Sequence, residues 1–351
     1  MESEKKKILI KRLYDSAFPE DVSWNDWFFK EVYDTAQGLM LMHNDEPVSS
    51  VLLQQYEFNY YNKSLRLAYF SGANTHYKAR GNGYMSQLMT IALKEAYGRG
   101  DALAAVIPAQ RRLFFFYDRF GFATVIYNNI ERYTSLHVFN LHEDYEYTEP
   151  KYSDFQKLEH ERPLTVLHSE SDFNHIIQDI THENGTVVQV NKISGDVAAM
   201  GFAFANNDEI HVTEILGNDL DAKEMVLAGV KSFFNTEKPI IVWDAPSGDR
   251  ERMRSRGMLR IVNVERILEA LSESNPNLKY CFKINDNILP KNNGIYCIQN
   301  GTCLKLNHLP KDTPLVEVSV DVLAEILFNG RNVGDIFGLP TGRPCLPLML
   351  D

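Results

Sequence analysis

Arg80-Gly81-Asn82-Gly83-Tyr84-Met85 is the stretch on which the fold of this chain turns. Before it, residues 65–70 form a strand-like run with Leu65, Leu67 and Tyr69 on one face. After it, Met85, Leu88, Met89, Ala92 and Ala96 recur at helical spacing over 83–98, until Gly98 and Gly100 stop the helix. A strand that ends in a Gly-bearing loop and feeds a helix turns backbone N–H groups outward. With the positive end of the helix dipole, those groups suit a phosphate or pyrophosphate. No Gly-Lys-Ser/Thr follows, so this is not a P-loop, and the glycines do not form the dinucleotide GxGxxG pattern. Further along, Phe116-Tyr117-Asp118-Arg119-Phe120-Gly121-Phe122 closes a second, brief helix over 110–119. Tyr117 is a candidate proton donor beside the anion site, or, among so many phenylalanines, an aromatic core residue.

Around this centre, residues 1–140 read as an α/β unit, with helices near 4–17 and 23–33. Its strands are expected at 39–42, 48–58, 102–107 and 122–139, and His43-Asn44-Asp45-Glu46-Pro47 supplies a turn. Residues 140–165, charged and broken by Pro150 and Pro163, read as a connector. The same order of elements then returns over 141–252: a helix marked by Phe173, Ile176, Ile177 and Ile180, three strands, a helix at 221–234 and a strand at 239–243. The loop before the later helix, Leu216-Gly217-Asn218-Asp219-Leu220-Asp221, lacks the Arg-x-x-Gly element and carries acids where an anion would sit. The second copy is therefore not expected to hold a phosphorylated cofactor. From 253 a small α+β segment follows, with a hairpin around Asn300-Gly301 and a Pro- and Leu-rich tail that can only dock in extended form.

Composition narrows the classes. The chain has 351 residues, 44% hydrophobic and 24% charged, the profile of a folded protein with two or three domains. No apolar run is long enough to span a bilayer, and the N-terminus has no secretory pattern, so neither a membrane nor export is expected. Net charge is −11 with no basic block, which excludes nucleic acid as a partner and favours encounter with a cationic amine. Cys281, Cys297, Cys303 and Cys345 show no CxxC spacing and read as reduced, half-buried thiols. The ten histidines show no HxxxH or HExxH spacing, and no metal is expected.

With these residues in view, the chain resembles the GCN5-related N-acetyltransferase (GNAT) superfamily, whose cofactor motif is [QR]-x-x-G-x-[GA]. Here Arg80 and Gly83 match, while Met85 replaces the final small residue. Together with Thr75-His76, Ile107-Pro108-Ala109 and the 116–122 run, that bulky residue is similar to the Eis-like ("enhanced intracellular survival") branch. The branch carries tandem acetyltransferase-like domains and a C-terminal domain similar to sterol carrier protein 2, which Met258-Leu259-Arg260-Ile261-Val262 would begin.

The resemblance implies tandem GNAT folds, each a mixed, mostly antiparallel sheet flanked by helices, followed by a small carrier-like α+β domain, with boundaries at 1–140, 141–252 and 253–351. It implies a cytoplasmic, homo-oligomeric N-acetyltransferase that uses acetyl-CoA. Ala73, Asn74 and Thr75 would pair by backbone with the pantetheine arm. Gly81, Asn82, Gly83, Tyr84, Met85 and Ser86 would wrap the pyrophosphate, with Arg80 at its mouth. Tyr117 would act as general acid on the CoA thiolate, and the terminal carboxylate of Asp351 as base, unless that terminus frays. Trp24, Phe28 and Tyr56 are candidates to line the acceptor cleft, with core packing as their other reading. The acceptor is left open among polyamine, aminoglycoside, peptide lysine and small amine. The rival reading is a non-catalytic binding protein for an apolar or CoA-type ligand.

Overall fold

The computed structural model describes residues 3–19, 22–34, 37–245, 253–308, 314–328, 337–340 and 342–350. In chain order it contains α1 (Ser3–Ala17), α2 (Val22–Trp27), β1 (Gly38–His43), β2 (Glu46–Tyr60), β3 (Lys63–Thr75), α3 (Tyr84–Arg99), β4 (Leu103–Val106), α4 (Arg111–Asp118) and β5 (Ala123–Tyr133). Next come β6 (Tyr145–Thr148), α5 (Tyr152–His160), β7 (Leu164–Leu167), α6 (Glu170–His182), β8 (Thr186–Lys192), β9 (Val197–Ala205), β10 (Ile210–Leu216), α7 (Leu220–Phe234) and β11 (Ile240–Asp244). The last are β12 (Met253–Ile261), α8 (Val264–Ser274), β13 (Tyr280–Asn285), β14 (Gly294–Gln299), β15 (Thr302–Leu306), β16 (Leu315–Ser319) and α9 (Val320–Leu327). The fold is mixed α/β, with mostly antiparallel sheets flanked by helices and a second, small sheet near the C-terminus. Among the described residues no helix is long and apolar enough to cross a membrane.

The chain divides into two compact units, one from residues 1–125 and 257–342, the other from 126–256 and 343–350. In the first, β1, β2 and β3 are antiparallel, β4 joins β3 in parallel, and Met258–Ile261 of β12 closes the sheet antiparallel to β4. The hairpins close on residues at positive φ, Asn44-Asp45 and Tyr61-Asn62, whose twist matches that of the strands. α3 covers one face of this sheet with Leu88, Met89, Ala92, Leu93 and Ala96, all buried against Val51, Leu53, Ala68 and Phe70. The alanines bring the helix close to the strands. Truncating Leu93 in this packing would cost about 2–5 kcal/mol. The small sheet, ordered β15-β14-β13-β16, belongs to the same unit and packs under α8.

The second unit repeats the pattern. β8, β9 and β10 are antiparallel, β11 joins β10 in parallel, and β5 closes the sheet antiparallel to β11. α7 buries Ala222, Met225, Val226 and Val230 over it. The closing strands are thus exchanged along the sequence. β5, read as a strand of the first unit, pairs with β11, and β12, read as the start of a carrier-like domain, completes the first sheet. Alternation identifies a strand but not its neighbour.

Two further expectations are corrected. The connector at 140–165 contains β6, α5 and the start of β7, because Phe155 and Leu158 give α5 a buried stripe too short to register as periodicity. Cys281 and Cys297 are joined as a disulfide rather than free thiols. They sit opposite each other in the β13–β14 register, 4.1 Å apart at Cα, the close approach of facing residues in an antiparallel pair. The tail docks in the second unit, where Cys345 donates its N–H to Leu164 O and accepts from Val166 N.

Candidate active site

The first sheet opens a wedge. β3 and β4 pair from Leu67–Leu103 to Tyr69–Ala105. β4 then ends at Val106 while β3 continues to Thr75, so beyond Tyr69 one edge of β3 has no strand partner among the described residues. Along that stretch Ser71 faces Leu52 and Asn74 faces Ser50, leaving Gly72 and Ala73 together opposite Val51. This is a β-bulge, and Gly72 takes φ +55° at its centre. A side chain there would meet Tyr14 of α1 at 2.5 Å. At a bulge the extra residue leaves the regular ladder of hydrogen bonds.

At the mouth of the wedge lies the start of α3. Gly81 (φ +82°) and Gly83 (φ +78°) stand in open space. Asn82 ties the loop by donating to Ala79 O (3.1 Å) and Arg80 O (3.3 Å). Exposed Arg80 donates from Nε to Thr75 O at 3.2 Å. No side chain caps α3, and its first turn holds no acid. The leading N–H groups, through Ser86, therefore have no intrahelical acceptor and remain available to an anion. Tyr84 packs its ring 5.4 Å from His43.

On the α3 face, Tyr117 sits at the end of α4 with 5% of its surface exposed, edge-on to Phe116 and Phe122. Phe70 lies in the same cluster, and Ala73 and Met85 pack against it. Tyr117 and, packed against it as partly buried neighbours, Ala73 of the bulge and Met85 of α3 thus belong to one core cluster. Burial pushes the Tyr117 phenol up to about 12. It stays protonated at neutral pH, as a hydrogen-bond donor must.

The candidates for the acceptor cleft pack in the interior of the same unit. Phe28 is core, stacked on Trp24 with ring centroids 5.0 Å apart and against Tyr14. Tyr56 is buried and donates its hydroxyl to Gln54 Oε1 at 3.0 Å. Asp351 lies outside the described residues. Sequence reasoning missed a buried polar lattice on the face of β2 and β3 away from α3: Ser50, Gln54, Ser71 and the side chain of Asn74. Its signal was the polar run inside Val48-Ser49-Ser50-Val51-Leu52-Leu53-Gln54-Gln55, where a fully buried strand has no packing use for hydroxyls and amides.

Residues 3–125 match the family model described as an acetyltransferase (GNAT) domain. No curated protein matches the chain. Among solved structures, one from Enterococcus faecalis, a conserved protein of unknown function titled a probable N-acyltransferase, superposes with a TM-score of 0.79 at 14% identity, covering 98% of this chain and 96% of that one. A GCN5-related N-acetyltransferase from Kribbella flavida gives 0.75 at 16%, with 99% and 96% covered. Eis1 from Mycobacterium abscessus gives 0.70 at 13%, with 93% and 87% covered. At these identities the likeness is one of fold, and it extends over nearly the whole chain.

Proposed function

We propose that the protein transfers the acetyl group of acetyl-CoA to an amine by direct attack in a ternary complex. The observation that carries this reading is the open edge of β3, running from its bulge to an uncapped helix start within one compact unit. A thioester on a pyrophosphate-bearing arm fits both ends of that path. In this reading the backbone of Ala73, Asn74 and Thr75 holds the arm. The N–H groups from Gly81 through Ser86 hold the pyrophosphate, and Arg80 adds charge beside it. A bulge amide stabilises the oxyanion. Tyr117 donates a hydrogen bond to the departing sulfur, its raised pKa favouring stabilisation of the thiolate over immediate protonation.

An amine of pKa about 10 costs roughly 4 kcal/mol to deprotonate at pH 7. The Asp351 carboxylate is assigned to orient and desolvate it, and to act as base if burial raises its own pKa. No cysteine lies in residues 1–140, which argues against a covalent acetyl-cysteine route. The unit formed by residues 1–125 and 257–342 acts as the catalytic body, and that formed by 126–256 and 343–350 as a GNAT-like unit without the cofactor loop. Assembly into a homo-oligomer goes with this reading and is checked by sedimentation velocity.

The test is CoA release from acetyl-CoA with butylamine, tyramine, spermidine or a lysyl peptide. The reading requires turnover with at least one and intersecting initial-rate patterns. Parallel patterns would exclude the ternary complex, and no release above the amine-free rate would exclude acyl transfer to these amines. A short C-terminal extension that leaves the rate intact would remove Asp351 from the mechanism.

A further inference from the structure

Asn74 holds a buried oxygen with nothing to accept. Its side chain, 6% exposed, spends its amide nitrogen twice, donating to Ser50 Oγ at 2.9 Å and to Gly72 O at 2.8 Å. The second bond fixes the orientation, because a backbone carbonyl can pair only with the NH2 end of the amide. The oxygen Oδ1 is consequently locked in place, and it is buried without a donor among the described residues. An amide oxygen removed from water without a partner costs about 1–3 kcal/mol, so a folded chain rarely keeps one without a use.

Its place is informative. Ala73 packs toward the cluster that contains Tyr117, on the face covered by α3. Asn74, one residue on, pairs its side chain with Ser50 on the opposite face, where Gln54 Nε2 also donates to Ser71 Oγ at 2.8 Å. A thioester seated in the wedge would have its leaving sulfur served from the Tyr117 face. The opposite face is left open to the nucleophile, and there Oδ1 is an acceptor in want of an N–H.

We infer that the side-chain oxygen of Asn74 accepts a hydrogen bond from the acceptor's amino group and aims its lone pair at the thioester. This rests on the acetyltransferase reading above. It assigns Asn74 a task on the acceptor, distinct from the backbone contact with the pantetheine arm. A neutral carbonyl serves this purpose better than a carboxylate, since it orients the amine without holding it as an ammonium ion.

The experiment compares the wild type with Asn74→Ala and Ser50→Ala, using butylamine, tyramine, spermidine and a lysyl peptide as probes and calorimetric titration of acetyl-CoA alongside. Asn74→Ala is expected to lower kcat/KM for the amine by about 10- to 100-fold while acetyl-CoA affinity stays within about threefold. Ser50→Ala keeps the carbonyl and is expected to stay within about threefold on both measures. If Asn74→Ala is too unstable to purify, Asn74→Ser keeps a short donor on the strand, removes the carbonyl, and is expected to show the same split. An unchanged amine kcat/KM, or a parallel loss of acetyl-CoA affinity, overturns the inference while the acetyltransferase reading stands. A wild type that binds no acetyl-CoA or turns over none of the probes overturns both.

Discussion

The starts of α3 and α7 occupy equivalent places in two sheets of the same pattern, yet their caps are built in opposite ways. Each helix connects two strands that pair in parallel, β3 with β4 and β10 with β11. At α3 the cap is Gly83 in the left-handed region, with no side-chain bond and no acid in the first turn. At α7 the cap is Asp219, whose Oδ1 accepts from Ala222 N at 3.2 Å, with Asp221 in the first turn. Tyr145 donates to Asp219 at 2.7 Å, and with that bond and Lys192 nearby its carboxyl lies below the usual range despite partial burial. The second helix thus satisfies a leading N–H with its own carboxylate. The parallel pair and its crossover helix are properties of the fold; the anion site depends on which residue sits at the cap.

Four changes would break or sharpen that contrast. The largest effect is expected from Gly83→Val, which sets a β-branched residue at positive φ where the open space is. Acetyl-CoA affinity should fall by ~100-fold or more, with stability reduced by only ~1–2 kcal/mol. Titration calorimetry and urea melts read the two separately, and equal losses in both would mean that the loop is merely structural. Tyr117→Phe should lower kcat by about 10- to 100-fold and leave acetyl-CoA affinity intact, since the phenol is assigned to the departing sulfur. Asp219→Ala should cost about 1 kcal/mol of stability and change acetyl-CoA binding not at all; tighter or additional binding would show that the cap residue alone decides. Arg80→Gln, removing an exposed charge, should weaken acetyl-CoA by only about threefold, and less at high salt.

The pH dependence follows from the same burial. A phenol whose pKa is raised on folding contributes stability that is complete below about 10 and is lost as pH rises toward 12. Ultraviolet titration of the wild type minus Tyr117→Phe should place this phenolate near 12. A transition near 10 would mean that Tyr117 is open to water.

Much of this was legible in the chain, for local reasons. Gly81, Gly83 and Gly100 mark turns that need positive φ, and the stripe from Leu88 to Ala96 has only one helical solution. Asn300-Gly301 announces its hairpin, whereas Tyr61-Asn62 makes the same kind of turn unannounced. What escaped depends on distant pairing. Nothing in β5 or β12 says which sheet each will close, and the spacing of Cys281 and Cys297 says nothing of a shared register. The task of Asn74 depends on the bulge at Gly72, since the bulge turns its side chain away from Tyr117's face. Period-two alternation cannot anticipate that shift.

The most direct test of the central claim is the stoichiometry of acetyl-CoA binding by calorimetry. One site per chain is expected, retained in Asp219→Ala and lost in Gly83→Val. Two sites per chain, or binding that survives Gly83→Val unchanged, would contradict the assignment of the cofactor to the bare start of α3.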